Sequence, residues 1–126
     1  MKRRVLVVDD HDGFRNLIGN FLSKKFEVIS AKNGLDAMTV LNKGLIPDII
    51  VTDTRMPEIN GEQLLYNLRC SGMYGNIPVW VMSEHGREEE EVYFRNLGAS
   101  GYLRKPFNPT VLQEQLSKFG RADQLA

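Results

Sequence analysis

The sequence is short of cysteine, of net charge and of long apolar runs, and each shortage narrows what the protein can be. Cys70 is the single cysteine among 126 residues, so neither an internal disulfide nor a multi-cysteine zinc site can form, and the usage fits a reducing compartment. Its expected place is as a small, partly buried residue on a helix. Sixteen basic and sixteen acidic residues cancel. That removes the overall field which holds nucleic acid or an anionic membrane, so any charge that matters is local. No run comes near the roughly 20 apolar residues of a membrane span. The N-terminal MKRR has the look of an export signal, but only four apolar residues, Val5 to Val8, follow before Asp9, where about 7 to 15 are needed. The expectation is a cytoplasmic protein without direct nucleic-acid binding or membrane attachment.

What is present is a rhythm. Short Val- and Ile-rich runs recur at Val5–Val8, Phe26–Ile29, Ile49–Val51 and Val79–Met82, with a weaker one at Tyr102–Leu103. Between them lie segments with apolar residues three and four apart: Phe14, Leu17, Ile18, Phe21 and Leu22; Leu64, Leu65 and Leu68; Val92 and Leu97; and Val111, Leu112 and Leu116. A further helix is expected from Asn33 to Gly44. Five strands alternating with helices predict a doubly wound α/β domain, because parallel strands need crossovers and continuous apolar runs mean burial on both faces. At this length the chain is one domain, expected over residues 1–120, with the polar tail RADQLA over 121–126 fraying or beginning a linker.

In such sheets ligands sit beyond the carboxyl ends of the strands. That edge collects Asp9 and Asp10 after VLVV, Asp53 after IIVT, Ser83 after VWVM and Lys105 after YLR. Adjacent carboxylates repel, and a hard divalent cation resolves the conflict: magnesium takes oxygen ligands and is typically held by one or two carboxylates with a phosphate oxygen. Taken alone, Asp9 and Asp10 read as a polar strand exit, Ser83 as a strand-end hydroxyl and Lys105 as a surface cation. Asp53 changes the balance, since it ends a buried strand ahead of the structured turn TRMPEING. An aspartate there can be a metal ligand, a general base or a nucleophile. The Lys105–Pro106 bond is a candidate cis peptide that would aim the ammonium inward.

The set VLVVDD, VTD with RMPEING, VMS and LGASGYLRKPF, in this order and spacing, resembles the receiver domain of two-component response regulators from Arg4 to Phe119. The resemblance implies a flavodoxin-like (βα)5 sheet of strand order 2-1-3-4-5. It implies a phosphoacceptor signalling switch, not an enzyme in the ordinary sense, beyond assisting its own phosphotransfer and dephosphorylation. Asp53 would take the phosphoryl group from a sensor histidine kinase or phosphotransfer protein. Asp10, Asp53 and the backbone carbonyl of Arg55 would ligate Mg²⁺, with Asp9 acting through water, and Lys105 and Ser83 would bind the phosphoryl oxygens. Tyr102 would turn inward as Ser83 moves. The fourth helix, fifth strand and fifth helix would be the surface read by an unidentified downstream protein.

Three residues around the pocket depart from the pattern or vary within it. Glu84 stands where the family usually has alanine or glycine, and would oppose incoming negative charge. Arg55 is expected to offset it through a partly exposed ion pair, and His85 to modulate hydrolysis. Asp12 is expected to cap the first helix, with Arg15 and Asn16 on its solvent side. GREEEEV reads as a solvated helix start whose glutamates suit the N-terminal dipole, and Trp80 reads as core. The rival to the phosphoacceptor is a phosphorylation-independent interaction module of the same fold, motivated by Glu84. A phosphatase would need an acid two residues after Asp53, where Arg55 stands, and a flavin would meet DDHDGF in place of a phosphate-binding loop.

Overall fold

The computed structural model describes residues 2–125, with side chains described as far as Lys118. Ten elements alternate: β1 (Arg4–Val8), α1 (Asp12–Leu22), β2 (Glu27–Ala31), α2 (Gly34–Asn42), β3 (Ile49–Asp53), α3 (Gly61–Cys70), β4 (Val79–Ser83), α4 (Glu88–Asn96), β5 (Gly101–Arg104) and α5 (Pro109–Leu125). The strands form one parallel sheet in the order β2-β1-β3-β4-β5, as the alternation and the resemblance predict. α5 continues in backbone past Gly120 to Leu125.

The continuous apolar strands are explained by two cores, one on each face of the sheet. Leu6, Val8, Ile50, Val79 and Val81 pack against Ala37 and Leu41 of α2, Leu64, Leu65 and Leu68 of α3 and Phe94 of α4. The alternate residues Val5, Val7, Ile49, Val51, Trp80 and Met82 pack against Ile18 and Leu22 of α1 and Leu112 and Leu116 of α5. This period of two, carried by strands buried on both sides, is what a doubly wound sheet requires. Leu17 is 57% exposed and Val92 54%, so spacing assigned both wrongly to buried stripes: Ile18, Leu22 and a half-buried Phe14 complete the inner face of α1, and α4 buries only Phe94. Cys70 is exposed, not partly buried. It is the last residue of α3, two residues beyond Leu68, where the Leu64, Leu65 and Leu68 stripe that faces the core ends.

Caps fix where the helices begin. Asn33 Oδ1 accepts the Asp36 N–H at 2.7 Å, and Asn60 with Gln63 forms a reciprocal capping box at 2.9 and 3.0 Å. The first helix corrects the expectation. His11, in extended backbone, is the cap, its Nδ1 accepting the Phe14 N–H at 3.0 Å, and Asp12 is already helical. Arg15 is not on the solvent side but only 15% exposed, donating to the Asp9 carbonyl at 2.8 Å and pairing with Asp12 at 2.7 Å.

Candidate functional site

Strand register gathers the polar residues. Val8 is level with Thr52, which puts Asp9, one step on, beside Asp53; Asp53 is level with Met82, and Ser83 with Arg104, so Ser83 and Lys105 follow at the same edge. Because neighbouring strands in a sheet are less than 5 Å apart, residues distant in sequence meet without any long side chain having to search for its partner. Gly61 completes the approach: a Cβ there would run into the Asp53 carbonyl, so only glycine lets α3 start this close to the end of β3.

The site is an acidic cleft with one cation. Asp9, Asp10 and Asp53 each offer a carboxylate oxygen within 4.8 Å of the others, Asp9 and Asp53 buried and Asp10 exposed. Lys105 Nζ lies 2.9 Å from Asp9 Oδ2 and 3.3 Å from Asp53 Oδ1, its side chain 10% exposed, and the Lys105–Pro106 bond is cis. The other Asp9 oxygen accepts the His11 N–H at 2.9 Å, and Asp53 Oδ1 also accepts the Thr54 N–H at 2.9 Å. Among the described residues no donor reaches Asp53 Oδ2. A cavity of about 190 Å³ opens beside it, lined by Asp10, Asp53, Thr54, Arg55, Glu84 and His85.

Electrostatics leave this group of acids under-compensated. Burial raises the Asp53 carboxyl above its ordinary value; the Lys105 charge pulls it down, the Asp9 charge pushes it up again, and the Thr54 and Lys105 hydrogen bonds lower it without reversing the shift. Burial alone would lower Lys105, but its hydrogen bond to Asp9 and the charges of Asp53 and Asp9 outweigh burial and raise it. Three carboxylates facing one ammonium leave two formal negative charges. All the donors are hard oxygens, so the residues present fit a divalent hard cation in charge and in ligand type.

The β4 side of the cleft differs from the expectation. Arg55 and Glu84 are both exposed and line the cavity, yet among the described residues they form no ion pair, which corrects the proposed compensation: both point from loops into water, where a pair gains little. His85 is exposed, and its backbone N–H donates to Ser83 Oγ at 3.2 Å. Ser83 is fully buried and donates to Glu90 Oε1 of α4; the half-buried Tyr102 donates to the same oxygen at 2.9 Å. Burial and then the Glu90 bond raise the Tyr102 phenol, against a lowering by the Ser83 hydroxyl. Glu90 is therefore no solvated helix-start residue. Its signal in the sequence is its place seven residues after Ser83 in a helix whose first turn must pass the end of β4, but four identical glutamates in a row conceal which one turns inward.

Fold and cleft together define a class: a parallel α/β domain with a cation-ready acidic pocket at the carboxyl edge of its sheet. The family model for the response regulator receiver domain matches residues 5–117. The chain is similar to a chemotaxis protein CheY homolog of Campylobacter jejuni, 33% identical over 115 residues that make up 90% of this chain and 88% of that one. It is equally similar to chemotaxis protein CheY1 of Helicobacter pylori, 33% identical over 90% of this chain and 93% of the relative. Among solved structures, the receiver domain of the Francisella response regulator 1452 superposes with a TM-score of 0.89 at 27% identity, covering 97% of this chain and 99% of that one. The chain belongs to the response regulator receiver domain family. It is a CheY-like receiver domain of two-component phosphorelay signalling, a switch and not a classical enzyme, with Asp9, Asp10 and Asp53 forming its acidic pocket.

Proposed function

We propose that this domain is a phosphoacceptor switch, phosphorylated on Asp53 by a sensor histidine kinase or phosphotransfer protein, with Mg²⁺ bound by Asp10, Asp53 and the Arg55 carbonyl and by Asp9 through water. The observation that carries the reading is the buried Asp53 carboxylate with Asp9 and Asp10 within 4.8 Å and Lys105 at 3.3 Å. Asp53 Oδ2, free of donors among the described residues, attacks the phosphorus of a phosphohistidine. The O–P bond forms as the P–N bond breaks; the imidazole leaves with the electron pair and takes up a proton, and an aspartyl phosphate remains. When bound, Mg²⁺ neutralises charge on the phosphoryl oxygens.

The chain's own residues do the rest by positioning, which is most of what phosphoryl transfer demands. Lys105 offers its ammonium to a phosphoryl oxygen, and Thr54 N–H and Lys105 hold Asp53 Oδ1 so that Oδ2 points to the cleft. Ser83 donates its hydroxyl to another phosphoryl oxygen, and Tyr102 follows Ser83, passing the change to the face formed by α4, β5 and α5, which a downstream protein reads. The domain acts in the cytoplasm, where its kinases and targets are. Among the described residues no helix is long and apolar enough to cross a membrane.

A second reading, an interaction module that takes no phosphate, is favoured by one observation: among the described residues Glu84 lines the cleft without a cation partner. Intact-mass measurement with acetyl phosphate and Mg²⁺ separates the two. The wild type is expected to gain one phosphoryl group and Asp53→Asn none. If the wild type gains nothing from acetyl phosphate or from a kinase, the interaction module is the better account.

A further inference from the structure

Four glutamates open α4, and they do not share one environment. Glu88 and Glu89 are exposed, and Glu91 pairs with Arg95 along the helix at 3.0 Å. Glu90 alone turns toward the sheet, where its Oε1 receives the hydroxyls of Ser83 at the end of β4 and Tyr102 on β5. A serine hydroxyl has a single proton to give. Ser83 gives it to Glu90, and one lone pair of its oxygen accepts the His85 N–H. A carboxylate is a strong acceptor for such a proton, since bonds to ionised groups are about twice as strong as neutral ones.

We propose that Glu90 is a positioning residue that restrains this switch: its carboxylate competes with the phosphoryl group for the Ser83 proton, and through the shared Oε1 it makes Tyr102 and the first turn of α4 register which acceptor has won. This rests on Asp53 being the phosphoacceptor. Before phosphorylation one carboxylate oxygen ties β4, β5 and α4 together. When a phosphoryl oxygen takes the Ser83 proton, the tie between β4 and α4 is cut, and Tyr102, left as the sole donor to Glu90 Oε1, is released to follow Ser83. The loop between them is anchored a second time, which keeps the competition local: Gly86 sits at a φ of +53°, with the Arg104 side chain laid over it and donating to its carbonyl.

The test compares initial rates of Asp53 phosphorylation by acetyl phosphate with Mg²⁺, read by intact mass, in wild type, Glu90→Ala, Glu90→Asp and Glu89→Gln, each first shown folded by its melting curve. Glu90→Ala is expected to be about tenfold faster, equivalent to about 1.4 kcal/mol. Glu90→Asp keeps the charge but withdraws the acceptor by one methylene, and is expected to be faster too. Glu89→Gln removes a neighbouring charge without touching the bonds, and is expected to stay within about twofold. A second readout is the Tyr102 ring-carbon resonance of the unphosphorylated protein, expected to move in both Glu90 variants and not in Glu89→Gln. Glu90→Asp matching the wild type in rate and resonance would leave only a general charge effect and overturn the restraint. So would unchanged rates in both Glu90 variants with normal Asp53 phosphorylation, a result that leaves the phosphoacceptor reading intact. Phosphorylation of Glu90→Ala on Asp53 but not of wild type would support the restraint as nearly complete and set aside the interaction module that a silent wild type alone would favour. Absence of an Asp53-dependent mass gain in every variant, with a kinase tried as well, overturns the phosphoacceptor reading and the competition with it.

Discussion

The two sides of the cleft are built on different principles. On the β1 and β3 side, buried Asp9 and Asp53 meet Lys105 through full charges at 2.9 and 3.3 Å, and every participant stands at or one step past a strand end. On the β4 and β5 side, Ser83 and Tyr102 are neutral donors that converge on Glu90, a residue of α4. The first side is held by charges that cannot be left unpaired in a buried setting. The second is held by hydrogen bonds from neutral hydroxyls to one carboxylate, worth about 1.5 to 3 kcal/mol each, and it can rearrange because a donor that leaves Glu90 for another anion loses little. On the proposed function a switch needs both: a stiff half to bind the incoming charge and a soft half to report it.

Breaking the stiff half should cost most. Lys105→Ala leaves Asp9 buried without its cation and is expected to lose about 3 kcal/mol in urea unfolding. The pH dependence has a definite sign. Lys105 is raised above its ordinary 10.5, so its contribution is full below about that pH and disappears as the pH rises through the folded value; wild type and variant should converge in alkali. Next comes the cation. With Mg²⁺ at about ten times its dissociation constant, the wild type is expected to gain about 1.4 kcal/mol, and Asp10→Asn, which removes the exposed carboxylate of the cluster, to lose most of that gain; a melting series in Mg²⁺ measures both.

On the soft half, Tyr102→Phe removes one bond to the Glu90 carboxylate from a half-buried ring and is expected to cost about 1.5 kcal/mol, about half the cost of Lys105→Ala. A cost equal to that of Lys105→Ala would erase the distinction between the halves. Smallest is Glu58→Gly, in the turn between them. Glu58 has a φ of +68°, a left-handed conformation that costs an L-residue about 1 to 2 kcal/mol, partly returned by glycine's greater entropy loss. A net gain of about 0.5 kcal/mol is expected, with no change in the rate of phosphorylation.

Much of the stiff half is legible in the sequence, because a parallel sheet with apolar strands puts the residue after each strand at one edge. Asp9, Asp10, Asp53 and Lys105 need only the strand ends to be located, and the apolar runs end within two residues of them. Glu90 and Arg15 were misread for the same reason. Both are charged residues in the first turn of a helix, where solvent is the usual neighbour, and both instead reach back to a strand end. The Arg55–Glu84 pair failed in the opposite direction: proximity around a pocket mouth does not bring two exposed loop side chains together.

The pattern of apolar runs and helical spacings by itself determined the doubly wound sheet, its two cores and the edge at which the acids collect, since burial on both faces and the obligatory crossover leave little freedom. The tertiary structure alone decided which of four identical glutamates faces inward, which residue caps α1 and that Arg55 stands apart from Glu84. Those choices turn on side-chain direction and on distances of a few ångströms between elements far apart in the chain, and local composition carries no term for either.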